Sequence, residues 1–155
     1  MGGEQAGITD VKVSAFDIEA HRGGRALFPE NTLASFANAL SMGVNTLELD
    51  IGVTRDGAIV VSHERWLNPD LARGADGKYV AEPGTPLVKL SLDEVKQFDV
   101  GQIRPGSIYA AQFPDQHAVP GAKIPTLKEL IRSGAPVRRQ PRAPEHRNQD
   151  RPESS

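Results

Sequence analysis

The sequence contains no cysteine, which excludes disulfide bonds and thiolate metal sites and leaves the redox compartment undetermined. It has no apolar run approaching the ~20 residues that a membrane-spanning helix needs. Residues 1–5 lack the basic start and apolar stretch of a signal peptide. We therefore expect no membrane span and, by default, a cytoplasmic location. The formal net charge of -2 gives no indication of nucleic-acid binding.

Composition divides the 155 residues into three zones, with room for one ordinary domain. We predict a leader over residues 1–14, a folded domain over residues 15–131 and a disordered tail over residues 132–155. The tail has four prolines, six arginines and few apolar side chains, so burial cannot offset the entropy lost on ordering. Its three acidic residues give it a net charge of +3, which leaves -5 on the rest and suits cation binding there.

Three strands are predicted in the domain, over residues 15–20, 45–53 and 59–63. Because a helical pattern separates the first two, we expect them to be parallel. Only four residues separate the second strand from the third, and Asp56-Gly57 is a strong turn signal. These two strands should therefore form an antiparallel hairpin, since a parallel crossover needs about a dozen residues. The predicted fold class is α/β.

Three helices are predicted from their start signals. The first has Asn31 or Thr32 as its N-cap and Gly43 at its end. The second is capped by Ser91 and covers residues 92–98, and the third follows residues 124–127. On the first helix, the i, i+3, i+4, i+7 spacing predicts a buried face of four residues: Leu33, Phe36, Ala37 and Leu40.

Glu48 and Asp50 lie two residues apart on the predicted second strand, so their side chains leave the same face, roughly 6–7 Å apart. Two neighbouring carboxylates repel each other unless a cation lies between them, and oxygen ligands suit Ca²⁺ or Mg²⁺. The alternative is an ordinary solvated strand face. The opposite, apolar face would hold Leu47, Leu49, Ile51 and Val53.

The hairpin brings a histidine toward these carboxylates. With Asp56-Gly57 at the turn, paired residue numbers add to 111 or 112, which sets His63 close to Glu48. His63 is then a metal ligand, a proton-transfer group or a structural cap of the strand. His21 is followed by an arginine and two glycines, a pattern that permits close approach to phosphate but also occurs in ordinary surface turns.

Six short motifs follow one another along residues 17–66, and weaker likeness continues around residues 90–94 and 124–127. The motifs are His21-Arg22-Gly23-Gly24, Pro29-Glu30-Asn31-Thr32, Ala34-Ser35-Phe36, Glu48-Leu49-Asp50, Thr54-Arg55-Asp56-Gly57 and Val60-Val61-Ser62-His63. In this order they resemble the opening of the glycerophosphodiester phosphodiesterase family. The resemblance implies a partial TIM-type (β/α)8 barrel of the PLC-like phosphodiesterase kind, containing about the first three strands.

The resemblance also implies a reaction, the metal-dependent hydrolysis of a small glycerophosphodiester to glycerol 3-phosphate and an alcohol. The implied cofactor is a divalent cation, Ca²⁺ or Mg²⁺. The metal, the head group and the division of acid and base roles stay open. The implied roles are acid/base catalysis by His21 and His63, phosphate contact by Arg22, metal binding by Glu48 and Asp50, and positioning of the site by Glu30.

The sequence also departs from the family. A TIM-type barrel takes about 250 residues, whereas barrel-like sequence here stops near Ile131. The family has a further acidic metal ligand on a later strand, and neither Glu145 nor Glu153 lies in a strand pattern. We interpret the change of composition at Arg132 as a truncation or a change of reading frame. An open sheet edge then favours self-association or aggregation.

Three functions follow as alternatives. The chain is a phosphodiesterase whose activity is impaired by truncation, a non-catalytic fragment that retains part of a metal or phosphate site, or an interaction module that acts through its basic tail.

Overall fold

The structure, a computed structural model, describes residues 17–134. Strand β1 (Glu19–Ala20) pairs in parallel with β2 (Thr46–Leu47), and helix α1 (Leu33–Ser41) lies between them along the chain. The predicted parallel strand-helix-strand unit is thus confirmed. The predicted leader lies outside the described residues, as does the predicted tail apart from its first three residues.

The predicted antiparallel hairpin is also confirmed. Strand β3 (Ile51–Val53) pairs with β4 (Ile59–Val61), with Ile51 opposite Val61 and Val53 opposite Ile59, so paired numbers add to 112. Gly57 adopts a positive φ of 81° in the turn, which a residue without a Cβ accepts readily.

The prediction of one continuous strand over residues 45–53 is wrong. The chain pairs with β1 at its beginning and with β4 at its end, and the residues between belong to neither ladder. The change of partner occurs because β1 ends at Ala20, where the chain turns into a 3-10 helical turn (His21–Gly23). Consequently the predicted apolar face holds only for Leu47 and Leu49, which pack on the core, whereas Ile51 and Val53 are exposed.

The predicted buried face of α1 is only partly correct. Phe36 is buried and Leu40 is half-buried, but Leu33 and Ala37 are exposed, and Ser35 and Ala39 are buried instead. The 3-10 turn packs directly on this side of the helix, where the Cα of Gly23 lies against Ser35 and Phe36. That contact rotates the buried side of the helix toward Ser35.

Within residues 17–134, β4 is followed by a 3-10 helix (Leu87–Lys89) and by three α-helices: α2 (Leu92–Val95), α3 (Ile108–Gln112) and α4 (Leu127–Arg132). Thr32, Ser91 and Thr126 are the N-caps of α1, α2 and α4, each in a reciprocal capping box. The caps at Thr32 and Ser91 are among those predicted from the sequence. Helix α2 is shorter than predicted because the chain becomes extended at Asp99, which pairs with Arg73 through backbone hydrogen bonds. Helix α3 was not predicted.

Two groups of buried side chains form the core, and β4 separates them. Val60 and Val61 are neighbours in β4 and therefore point to opposite faces of the strand. The smaller group consists of Phe36, Val61 and Leu130. The larger group consists of Val60, Leu67, Ala72, Leu87, Val95, Val100 and Ile124. The end of β4, where His63 follows, is thereby fixed between two packed layers. Among the helices of residues 17–134, none is long and apolar enough to cross a membrane.

Candidate active site

The turn that follows β1 brings the first histidine and arginine to the end of β2. Arg22 adopts a left-handed backbone conformation with φ 51°, and its backbone N–H donates to Glu48 Oε2 at 2.8 Å. His21 Nε2 lies 4.0 Å from the same carboxylate oxygen, with the imidazole more than half exposed. Glu48 therefore fixes the turn through the backbone and faces the ring of His21.

The side chain of Arg22 is buried and links two further carboxylates. Its Nη1 donates to Glu30 Oε1 at 3.0 Å, and its Nε lies 3.7 Å from Asp50 Oδ2. Arg22 and Glu30 are 12% and 7% exposed, so this pair is largely removed from water. A buried charge pair of this kind loses stability sharply when one partner is removed.

Glu30 has a second partner that the sequence did not reveal. The hydroxyl of Tyr109, in α3, donates to Glu30 Oε2, and Arg25 Nη1 donates to the same hydroxyl at 3.4 Å. Burial, with a further contribution from the Glu30 hydrogen bond, raises the pKa of Tyr109 to about 12. Tyr109 therefore stays protonated and acts as a hydrogen-bond donor to Glu30 at neutral pH.

The second histidine lies beyond β4 on the wall of a cleft. The Ser62 N–H donates to the Asp50 carbonyl at 3.0 Å, which extends the hairpin pairing by one residue. His63 Nδ1 is hydrogen-bonded to Glu64 Oε1 at 2.9 Å rather than to Glu48 or Asp50. The residues that line this cleft include His63, Glu64, Glu30 and Asn31. Glu30 thus lines the same cleft as His63 and is also bonded to Arg22.

Glu48 and Asp50 fit a divalent cation in the chemistry of their donor atoms. Both side chains are about one-third exposed, and their carboxylate oxygens are the donors that Ca²⁺ and Mg²⁺ prefer. Asp50 Oδ2 is buried and has no hydrogen-bond partner within the described residues. Across residues 17–134, no three Asp, Glu or His residues group closely enough to hold a metal.

The six residues singled out from the sequence thus fall into two parts of the site. Five of them gather around one turn: His21, Arg22, Glu30, Glu48 and Asp50. His63 is not bonded to any of these five, but it lines the same cleft as Glu30. The guanidinium of Arg22 faces Glu30 and Asp50, which is a contact that the sequence did not predict.

The family profile of the glycerophosphoryl diester phosphodiesterases matches residues 21–153, which is most of the chain. The chain belongs to the glycerophosphoryl diester phosphodiesterase family. The match begins at His21 and continues beyond residue 131, where the folded domain was predicted to end. The family predicted from the short motifs is therefore confirmed.

Two curated members of the glycerophosphoryl diester phosphodiesterase family show the extent of the similarity. The glycerophosphodiester phosphodiesterase of Caldanaerobacter subterraneus is 34% identical over 74% of this chain and 38% of its own length. The Bacillus subtilis enzyme of the same name is 31% identical over 72% of this chain and 34% of its own length. The chain therefore spans well under half the length of these relatives.

Two solved structures of the family are similar to this chain in sequence and in fold. A glycerophosphoryl diester phosphodiesterase from Silicibacter pomeroyi is 34% identical with a TM-score of 0.73, over 75% of this chain and 39% of that protein. A phosphodiesterase from Oleispira antarctica in complex with the product sn-glycerol-3-phosphate is 31% identical with a TM-score of 0.52, over 75% of this chain and 38% of that protein.

Proposed function

We propose that the residues around His21 and around His63 are parts of a glycerophosphodiester phosphodiesterase active site. The reaction is hydrolysis of a small glycerophosphodiester to glycerol 3-phosphate and an alcohol. The observation that supports it best is the convergence of Glu30, Glu48 and Asp50 on Arg22, beside His21, in a member of this family. The product complex of the Oleispira relative supports the substrate class.

Each residue has a definite task in this proposal. Glu48 and Asp50 would hold a divalent cation, Ca²⁺ or Mg²⁺, which when bound polarises the phosphodiester. Of His21 and His63, one takes a proton from the attacking hydroxyl and the other gives a proton to the leaving alkoxide. Arg22 offsets the negative charge that develops on the phosphoryl oxygens.

Glu30 would position Arg22 rather than touch the substrate. Its carboxylate holds the guanidinium on one oxygen and the Tyr109 hydroxyl on the other, so its orientation is fixed from two sides. A positioning group held in this way keeps the charge of Arg22 in one place as substrate binds, which avoids reorganisation during the reaction.

We also propose that the described elements form the opening of a TIM-type barrel. The parallel β1–α1–β2 unit and the TM-score of 0.73 to the Silicibacter protein support this arrangement. Self-association is part of the same proposal. Ile51, Val53 and Ile59 lie on one face of the hairpin and are each about half exposed, which provides an apolar surface for a second chain.

A second candidate function is binding of phosphate or metal without turnover. It is favoured by the absence, among residues 17–134, of any group of three side chains that could hold a metal. The chain's span of 38% of the Caldanaerobacter enzyme favours it as well.

The test is hydrolysis of glycerophosphocholine by the full chain, with Ca²⁺, with Mg²⁺ and with EDTA. His21→Ala is the test variant, and His117→Ala is the matched control because His117 is exposed, its ring contacts Phe28, and it has no role in the proposed reaction. We expect cation-dependent turnover that His21→Ala abolishes and His117→Ala retains. Cation binding by folded wild-type protein without turnover would instead establish the second function.

A further inference from the structure

Trp66 is the only tryptophan of the chain, and it lies three residues beyond His63. The Cα atoms of the two residues are at most about 11 Å apart, because three extended residues span no more. Trp66 is 44% exposed, whereas the next residue, Leu67, is buried. A large aromatic surface is therefore left in water close to a histidine of the proposed site.

The surroundings of Trp66 hold both its backbone and its ring. The Leu67 N–H donates to the Thr85 carbonyl at 2.9 Å, and Trp66 lies opposite Pro86 in an antiparallel bridge. The ring packs against Gly84, since a Cβ on that glycine would lie 2.9 Å from Trp66 Cδ1. An aromatic side chain that is already held in this way loses little freedom when a ligand binds to its exposed surface.

Trp66 lines two spaces of very different size. The cleft that it shares with His63 has a volume of about 30 Å³, which is room for one or two waters. The groove that it shares with Glu82 and Pro83 has a volume of about 1010 Å³, which is ample for a small organic group. The alcohol part of a small substrate therefore fits the groove and not the cleft.

The charged groups around the groove favour a cation over an anion. Those that line it are Asp70, Glu82 and Lys89. Asp70 is paired with Arg104 at 2.7 Å, whereas Glu82 is 75% exposed and lies 4.0 Å from the same guanidinium. A third carboxylate, that of Glu64, lines the adjoining cleft. Three negative charges thus accompany two positive ones, which leaves a small excess of negative charge beside the indole.

We propose that Trp66 is a substrate-binding residue that holds a quaternary ammonium head group, such as that of choline, against its indole ring. This inference rests on the proposed function and names the head group that the sequence left open. Indole is the aromatic ring that attracts cations most strongly, and quaternary ammonium groups are bound in this way. The methyl groups of choline also bury apolar surface against the ring and against Pro83 and Pro86.

The first experiment uses the indole as the probe. The Trp66 fluorescence of the full chain is titrated with choline and with neohexanol, the uncharged isostere in which carbon replaces nitrogen. We expect saturable changes, with choline bound about two- to fivefold more tightly because its charge is attracted to the ring. The N-methyl proton signal of choline should move upfield, since an aromatic ring shields protons above its face. Equal affinities, or no saturable change with choline, would overturn the inference.

Substitution tests whether the ring itself is responsible. Trp66→Leu keeps an apolar side chain without the aromatic face, and Trp66→Phe keeps an aromatic face that attracts cations less strongly. Ile108→Ala is the control, because Ile108 is 84% exposed and lines neither the cleft nor the groove. Circular dichroism establishes that each variant is folded, and the N-methyl signal measures binding without the indole.

We expect choline to bind about fivefold more weakly to Trp66→Leu and less weakly to Trp66→Phe, while Ile108→Ala binds as wild type does. Unchanged binding by folded Trp66→Leu would contradict the inference. If that variant does not fold, Trp66→Phe and the comparison of choline with neohexanol on the unaltered chain still decide.

Hydrolysis separates this inference from the proposed function. In an active chain, Trp66→Leu should raise the KM for glycerophosphocholine and leave the KM for glycerophosphoglycerol unchanged. Equal increases for both substrates would overturn the preference for choline while the proposed activity stands. Choline bound at Trp66 in a chain that hydrolyses neither substrate would support the head-group site and overturn the proposed activity.

Discussion

The two histidines of the site have different surroundings. Beside His21, Arg22 is bonded to carboxylates from the Pro-Glu-Asn-Thr turn and from the end of β2, and it approaches a third carboxylate before β3. The ring of His63 has one hydrogen bond within the described part of the chain, to the adjacent Glu64, and is 37% exposed. The Arg22 side chain is therefore held by several elements of the fold, whereas the His63 ring is held by its sequence neighbour. Substitutions should consequently affect folding on the His21 side far more than on the His63 side.

The largest effect on stability is expected from adding a methyl group at Gly23, where the 3-10 turn packs against α1. Gly23→Ala would place a Cβ 2.4 Å from Ser35 Oγ at a positive φ, and we expect a loss of about 3 kcal/mol in the free energy of unfolding. Gly24→Ala is the matched control, since φ is also positive there but no atom lies within 4 Å of the new methyl. Urea unfolding of both variants measures the difference. Equal losses would show that the packing of the turn on α1 contributes nothing.

Removing the Arg22 guanidinium should have the next largest effect. Arg22→Ala leaves Glu30 without its buried cation, and we expect a loss of about 2 kcal/mol in stability. Arg55→Ala is the control because Arg55 forms an equally short 3.0 Å pair with Glu94, but with both side chains about half exposed. That loss should stay below about 0.5 kcal/mol in the same urea experiment. Similar losses would contradict the view that burial distinguishes the two pairs.

Removing the Tyr109 hydroxyl should have a smaller effect on the same half of the site. Tyr109→Phe takes one donor from Glu30 but leaves Arg22 in place, so we expect a loss of about 1 kcal/mol by urea unfolding. An increase in stability would show that Glu30 needs no second donor.

The pH dependence of this contact has a definite sign. The pKa of Tyr109 is raised to about 12 in the folded chain, so its stabilising effect is complete below the unfolded value of about 10. It is lost as the pH rises from about 10 through about 12. In Tyr79→Phe, the remaining tyrosine can be followed by the ultraviolet absorbance of tyrosinate. Titration near pH 10 in a folded sample would rule out the buried hydrogen bond.

The smallest effect is expected on the His63 side. Glu64→Gln keeps a hydrogen-bond acceptor for His63 on a half-exposed contact, and stability should change by less than about 0.5 kcal/mol. A larger loss, measured by the same unfolding experiment, would mean that the two halves of the site do not differ as described.

The features that were predicted correctly depend on residues that are close together in the sequence. Thr32 and Thr126 start helices because each caps its own first turn, and the hairpin register follows from the short loop at Asp56-Gly57. Glu48 and Asp50 were selected from equally local signals, their spacing and the nearby motifs, and their metal-binding role stays a prediction. The family motifs added the roles of His21 and His63, which geometry alone left open.

The features that could not be predicted depend on distant parts of the chain. Tyr109 is 79 residues from Glu30 in sequence, and nothing in α3 indicates that its hydroxyl reaches the site. The strand predicted over residues 45–53 is divided because β1 is too short to pair with all of it. Asn31 was considered as a cap and as part of the Pro-Glu-Asn-Thr motif, but its unpaired side-chain amide depends on packing in the folded chain.

The division of the strand at the candidate metal pair has a mechanical consequence. Glu48 donates its backbone N–H to Ala20 of the first sheet at 3.1 Å, whereas the Asp50 carbonyl accepts from Ser62 of the second at 3.0 Å. The backbones of the two residues are therefore hydrogen-bonded to different sheets, and a single residue lies between them. A ligand that holds both would act as a clamp between the sheets, and its affinity would include the work of aligning them. Changes in the hairpin far from either carboxylate would then alter that affinity without touching the ligand.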